Sequence, residues 1–256
     1  MDKPTRSFII PVLDYSPHSP YNINTLLTEL ENINGEVICV FNSHDVFEHL
    51  KDHPRIDKYC LNSQNAGVSR SWNIGINLAE GDYLFILNAD LHIGEQGINK
   101  LEMNLEILHN AVMVGPEGSN LKFIDENLSM GKHFSKGTLG MPENADNISG
   151  FYMAIHKQRF LDAGLYFDTR FSPCFMEEWD IGFQIRLSGL LCYVVPLADY
   201  AHEWGISAGG HKTINYFGQL LSRDEIMNAN AIKFRDKWFE ALCESTDSLL
   251  TESIDQ

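Results

Sequence analysis

Three places in the chain carry side chains suited to chemistry. Asn88 and Asp90 alternate around Ala89 at the end of an apolar run. A hard divalent cation takes oxygen ligands, and Asp90 can supply one while Asn88 offers an amide oxygen. An ordinary Asx turn is the competing reading of the same residues. Further on, Glu177, Glu178 and Asp180 crowd negative charge into the start of a helical pattern. Either they favour the positive end of a helix dipole, or the paired carboxylates raise one another's proton affinity and provide a general base for a hydroxyl nucleophile. Trp179 between them walls a pocket or fills the core, and Arg186 is expected to ion-pair with Asp180 or Glu178. His202 stands in ADYAHEWG after the last apolar run. Imidazole suits manganese or zinc better than magnesium, and the value of this histidine rests on a pairing with Asp90 that sequence cannot place in space. Arg70, between Gly67 and Asn73, has the geometry for a bidentate bond to a phosphate or anchors its own loop.

The elements that must position these groups follow from periodicity. Tyr83 to Asn88 is apolar except at its end, without the alternation of a half-exposed strand, so it reads as a central parallel strand covered on both faces. Open α/β sheets bind ligands beyond the carboxyl ends of such strands, which puts Asn88 and Asp90 at a ligand site. Phe8 to Leu13 is an earlier strand, with Pro11 expected to mark its end. A helix carries Ile23, Leu26, Leu27 and Leu30 on one side, and Val37 to Phe41 and Tyr59 to Asn62 are two more strands, the latter an edge. After Asp90 come a helix from Gly94 to His109, a strand from Ala111 to Gly115, and a glycine- and asparagine-rich stretch from Pro116 to Asn147 read as irregular strands or a flap. Strand character returns at Phe151 to His156, followed by a short helix at Phe160 to Gly164. The acidic helix starts at Glu177 and stops near Gly189. A last strand covers Leu191 to Pro196, a loop Asp199 to His211, and a C-terminal helix Arg223 to Cys243, whose Ile226, Ile232, Phe234, Trp238 and Phe239 are expected to pack against the domain, with a membrane-surface or partner helix as the rival reading.

At 256 residues and 44% hydrophobic, the chain can bury one sizeable core. The expected organisation is a single domain over 1–256, with a ligand-binding half at 1–115, a catalytic half at 116–221 and a helix and tail at 222–256. The net charge of -16, from 35 acidic and 19 basic residues, argues against nucleic acid or an anionic membrane as a general partner. No run reaches the ~18 to 20 apolar residues of a membrane span, although peripheral membrane association stays open. Five scattered cysteines without metal-site spacing, and the lack of a secretory leader, suggest a cytoplasmic setting. Neither a GxGxxG fingerprint, a GxxxxGK phosphate loop nor a GxSxG elbow is present. Oligomeric state has no signal in the sequence.

Five ordered segments resemble glycosyltransferase family 2, and the similarity runs from Phe8 to about Ser207. They are FIIPV with Pro11, NAGVSRSWNIG at 65–75, LAEGDYLFILNAD at 78–90, SGFYMAIHKQRFLDAGLYFDTRF at 149–171, and EEWDIGFQIRLSG at 177–189. The resemblance implies a GT-A nucleotide-diphospho-sugar transferase fold, α/β with a mostly parallel central sheet, and metal-dependent transfer with inversion, using Mn2+ or Mg2+. It puts Asp90 at the metal aspartate, Asn88 where a first aspartate often stands, and His202 at the late histidine that helps hold the metal or diphosphate. The same Asn-X-Asp form is common in rhamnosyltransferase-like members.

Glu178 takes the place of the general base, with Glu177 beside it and Asp180 as the later acid. Trp179, Arg186 and Gly150 fall in the acceptor and support segments, while Asn65, Gly67, Arg70 and Asn73 fall in the donor loop. The implied partners are a nucleotide-diphospho-sugar donor and a glycan or glycolipid acceptor, in surface polysaccharide synthesis. At the base pocket the chain departs from the family. Leu13 and Asp14 precede Tyr15 where an aromatic is usual, and Phe41 stands in place of an aspartate, followed by Asn42. Either Asn42 and Asp14 recognise the base, or the chain reads an unusual one or binds it weakly. Two other readings stay open: a non-catalytic domain that binds nucleotide sugar or glycan, and a sugar-phosphate nucleotidyltransferase, although the latter's glycine-rich, lysine-bearing loop is missing.

Overall fold

Residues 5–124, 127–202 and 213–252 are described by a computed structural model. In chain order the elements are β1 (Arg6–Val12), α1 (Ile23–Leu30), β2 (Glu36–Phe41), α2 (His44–Leu50), β3 (Lys58–Leu61), α3 (Val68–Leu78), β4 (Tyr83–Leu87), β5 (Leu91–Ile93), α4 (Glu95–Ile107) and β6 (Ala111–Gly115). There follow β7 (Gly118–Ile124), β8 (Asn127–Phe134), β9 (Glu143–Ala145), β10 (Asn147–Ile148), β11 (Tyr152–His156), α5 (Lys157–Asp162) and α6 (Glu177–Leu187). The last are β12 (Leu191–Val194), β13 (Tyr200–His202), β14 (Thr213–Tyr216), β15 (Gln219–Ser222) and α7 (Arg223–Glu252).

Eight strands make one sheet in the order β3-β2-β1-β4-β11-β6-β12-β9. The first four are parallel to one another. β11 runs antiparallel to both β4 and β6, so the central strand β4 is parallel to one neighbour only. The chain leaves β1 towards β2 and β3 and returns to β4 on the other side of β1, which makes the crevice beyond these strand ends a topological switch point. Alternation explains the unbroken apolar runs. Phe8, Ile10, Phe85 and Leu87 meet α1, α2 and α4, whereas Ile9, Leu84 and Ile86 meet α3 and α6. Each large side chain buried this way stabilises the fold by about 1.5–3 kcal/mol.

The start of β4 is pinned by charge. The Glu36 carboxylate accepts from Ser7 Oγ at 2.6 Å and from the Gly81 amide at 3.3 Å, and pairs with Lys58 Nζ at 2.8 Å. A side chain at Gly81 would come within 2.6 Å of the Arg6 backbone, so the turn into β4 needs glycine.

Several expectations are corrected. β1 continues through Pro11 to Val12, because its pairing with β4 stops at Ile9 and only the β2 ladder is present there. The segment after β2 is a helix, α2, capped by Ser43 with Val46, Phe47 and Leu50 buried, where only a polar strand end was expected. Of the two readings of 116–147, strands hold: the described residues form β7, β8, β9 and the start of β10, and β7 with β8 makes a long antiparallel hairpin. His202 ends a strand, β13, while 203–211 of the expected loop lie outside the described residues. The hairpin of β14 and β15 was not anticipated. α7 packs as expected, but its buried stripe is Ile226, Asn230, Phe234 and Trp238, and Ile232 and Phe239 face solvent. No described helix is long and apolar enough to cross a membrane.

Candidate active site

Beyond the ends of β1, β2 and β4 lies a cleft of about 390 Å³. Among the candidates from sequence, Pro11, Asp14, Asn42, Asn65, Gly67, Asn88, Asp90, Gly150, Glu177, Glu178, Trp179 and His202 line it. Tyr15, Arg70, Asn73, Asp180 and Arg186 are not among its walls.

The pairing of Asp90 with His202 comes from strand register. β5 and β13 are antiparallel with Leu91 opposite His202, which brings the imidazole beside residue 90. His202 Nε2 lies 3.3 Å from Asp90 Oδ1 and 3.3 Å from Asn88 Nδ2, and the ring stacks on Phe151 at 4.5 Å. Asp90 is 3% exposed, and neither of its carboxylate oxygens accepts a hydrogen bond from the described residues. A buried carboxylate so placed calls for a positive partner. One carboxylate, one imidazole and a neighbouring amide fit a divalent cation such as Mn2+ or Mg2+. No cluster of three His, Cys, Asp or Glu occurs among the described residues, so further ligands would come from a diphosphate and water.

The acidic helix presents its carboxylates differently from one another. Burial, then the proximity of Glu178, pushes Glu177 well above the ordinary glutamate range, and burial also raises Glu178. Glu178 accepts from the Gly150 amide at 3.2 Å. Asp180 points away from the cleft and is fully buried, bound by Lys237 at 2.7 Å, Trp238 Nε1 at 2.8 Å and Gln184 Nε2 at 2.7 Å. Burial raises its affinity for a proton against the pull of Lys237 and Trp238. No side chain caps α6, and the two residues before it, Phe175 and Met176, have φ of +74° and +76°. That conformation is costly for residues with a Cβ and is a common mark of functional turns.

Other candidates have structural engagements. Arg186 does not reach Asp180 or Glu178; it pairs with Asp146 at 3.2 Å, because side chains six or eight positions apart do not meet on a helix. Arg70 anchors its loop, donating to Ala66 O, Ser172 Oγ and Tyr216 Oη at 3.2, 3.1 and 2.5 Å. Asn73 clips to the Phe167 backbone through both its amide groups. Tyr15 takes a bond from Asn24 and lies against the His49 ring, tilted, with centroids 4.8 Å apart. Phe41 is wholly buried. Asn42 holds the 62–71 segment, its oxygen accepting from Ala66 N at 3.0 Å and Asn62 Nδ2 at 3.1 Å and its nitrogen donating to Ser71 at 2.8 Å.

Sequence reasoning did not single out Ser119, Met130, His133 or Asn147, which line the cleft from the β7–β8 hairpin and β10. Glu117 backs this wall, accepting from Tyr200 Oη at 2.7 Å and lying 3.5 Å from His133 Nε2. No local pattern distinguishes these residues, since the hairpin brings them in from a stretch without regular periodicity.

Residues 7–157, more than half of the chain, match the family model described as glycosyl transferase family 2. The fold is similar to the crystal structure of GalNAc-T7 with UDP, GalNAc and Mn2+, at 15% identity and a TM-score of 0.61 over 78% of this chain and 44% of that one. It is also similar to S. aureus TarS 1-349 in complex with UDP, at 15% identity and a TM-score of 0.51 over 77% of this chain and 59% of that one. This chain therefore spans less than two thirds of either. No curated protein matches it. The likeness is one of fold, the GT-A fold of nucleotide-sugar transferases, and the matched segment shows that the chain belongs to glycosyltransferase family 2.

Proposed function

We propose that the protein transfers a sugar, with inversion, from a nucleotide-diphospho-sugar to a hydroxyl of a glycan or glycolipid acceptor. The observation that carries this reading is the presence in one cleft of Glu178, a half-buried carboxyl of raised proton affinity, and of Asp90, a buried carboxylate whose oxygens accept no hydrogen bond from the described residues and which lies 3.3 Å from His202 Nε2. Asp90 and His202 would hold Mn2+ or Mg2+, which when bound neutralises the charge that develops on the leaving diphosphate. Glu178 takes the proton from the acceptor hydroxyl as its oxygen attacks the anomeric carbon. The bond from that carbon to the diphosphate oxygen breaks, its electron pair leaves with the nucleoside diphosphate, and one displacement inverts the centre. Gly150 N–H steers the carboxylate, and Trp179 and Phe151 give the acceptor apolar walls. Asp14, Asn65 and Gly67 lie at the donor end, with Asn42 acting through the loop that it holds.

Two structures of similar fold hold UDP, which makes UDP-sugars the first donors to try. A hexose or deoxyhexose donor and a role in surface polysaccharide synthesis follow from the family resemblance. The test is release of nucleoside diphosphate from UDP-, dTDP- and GDP-sugars, with and without Mn2+, alone and with a glycan acceptor mixture. One metal-dependent donor with an inverted product supports the proposal. Donor binding without turnover on any acceptor would favour the non-catalytic reading, to which the engaged Asn42 and the buried Phe41 lend weight.

A further inference from the structure

α7 lies wholly outside the segment that matches the family, yet one face of it holds the chain that carries the glutamates. The Asn230 side chain is 1% exposed, and its amide nitrogen donates to three backbone carbonyls, Phe171, Cys174 and Phe175, at 2.6, 2.8 and 3.1 Å. Two turns later Lys237 bridges two aspartates, 2.8 Å from Asp168 Oδ2 and 2.7 Å from Asp180 Oδ1, and Trp238 adds its indole N–H to Asp180. The bridged aspartates bracket residues 168–180. Within that bracket Phe175 and Met176 have left-handed φ, at a cost of roughly 1–3 kcal/mol for each such residue, so the turn persists only where its surroundings hold it. Glu177 and Glu178 follow at once.

We propose that Asn230 and Lys237 are positioning residues for the acidic pair, and that α7 is thereby a working part of the active site as well as a cover for the core. The proposal rests on the transferase reading for its effect on turnover, but not for its effect on the structure of residues 171–180. Asn230 ties the carbonyls ahead of the strained turn while Lys237 ties its two ends, so loss of either lets Glu178 drift from Gly150. Drift of about 1 Å at a reacting group lowers a rate by roughly a hundredfold.

The experiment compares Asn230→Leu, Lys237→Met, Lys237→Arg and, as a control on the exposed face of α7, Ile232→Ser. Turnover per folded molecule, donor KM and hydrogen exchange of peptides covering 171–187 are measured for each. Asn230→Leu and Lys237→Met are expected to lower kcat about 10- to 100-fold, with donor KM within about twofold, and to speed exchange at 171–180 while β1 and β4 stay protected. Lys237→Arg, which keeps the charge, recovers most of the turnover, and Ile232→Ser behaves as wild type. If Asn230→Leu does not fold, the Lys237 pair decides. Unchanged kcat with unchanged exchange at 171–180, or a fall in kcat matched by an equal rise in donor KM, overturns the proposal. A wild-type protein inactive on every donor would sink the transferase reading alone, and the exchange measurement would still decide whether α7 holds the turn.

Discussion

Gly150→Ala tests the most sensitive contact of the site. Gly150 has no need of a left-handed backbone; what excludes a side chain is space. A Cβ there would lie 2.6 Å from Glu178 Oε1 and 2.9 Å from the Trp72 ring, against an ordinary contact of at least 3.4 Å. Trp72 is 1% exposed and packs edge-on to Phe167 at 4.7 Å, so it has no room to retreat. Glu178 must yield, by about 0.8 Å if ordinary contact is restored. Since a shift of about 1 Å costs on the order of a hundredfold, turnover is expected to fall roughly 10- to 100-fold, or about 1.4–2.7 kcal/mol of barrier. Overpacking lowers stability by about 1–3 kcal/mol, read as a melting point lower by roughly 2–12 °C. The assay is nucleoside diphosphate release at saturating donor and acceptor, with donor affinity measured separately and expected within about twofold of wild type. A folded Gly150→Ala protein with wild-type turnover would refute the claim that Glu178 must sit against this glycine.

Other outcomes follow from the same site. Glu178→Gln is expected to lower turnover about 10²- to 10⁴-fold and to leave donor binding intact, as calorimetry with the nucleoside diphosphate would record. With diphosphate present, Mn2+ at about a hundredfold excess over its Kd should stabilise the wild type by about 2.7 kcal/mol, or roughly 5–11 °C in melting point, and Asp90→Ala should lose that shift; an equal shift in both proteins would dismiss Asp90 as a ligand. The pH dependence has a definite sign. Burial raises the proton affinity of Glu177 and Glu178 in the folded state, so the pair's contribution to stability is complete below the ordinary glutamate value and is lost as pH rises through the raised one. Glu177→Gln should therefore gain stability over wild type as pH rises, and the wild-type rate should fall on acidification from a higher pH than an exposed glutamate would give. Melting curves and kcat across the pH range check both, and a difference between variant and wild type that does not vary with pH would contradict the burial argument.

Much of the site was legible because its parts are local. The apolar run at 83–88 announces a strand covered on both faces, and the polar tip that follows it, with Asp90, lines the cleft. Glu177 and Glu178 share a helical start that composition alone reveals, and helix stops such as Gly189, at φ +78°, stand where glycine has room that other residues lack. α2 was missed although Ser43 and the spacing of Val46, Phe47 and Leu50 mark it, because its brevity hid it among polar residues.

Alternation, segments apolar on both faces, and the places of acidic and metal-ligating side chains are all written along the chain. Which of them meet depends on how the fold packs. His202 reaches Asp90 through the register of β13 on β5, a pairing between residues 112 apart in sequence that no periodicity encodes. Arg70 and Asn42 turned to backbone and side-chain partners of the fold, Arg70 as far away as Ser172 and Tyr216 and Asn42 in the 62–71 segment, since a buried polar group takes whichever partner packing offers. Asn230, a polar residue on a helix whose apolar positions alone were expected to pack, is among the most buried polar groups, because its amide nitrogen donates to the carbonyls of Phe171, Cys174 and Phe175 in the chain leading to Glu177. Periodicity records whether a side chain is buried; the identity of its partner depends on how distant segments pack.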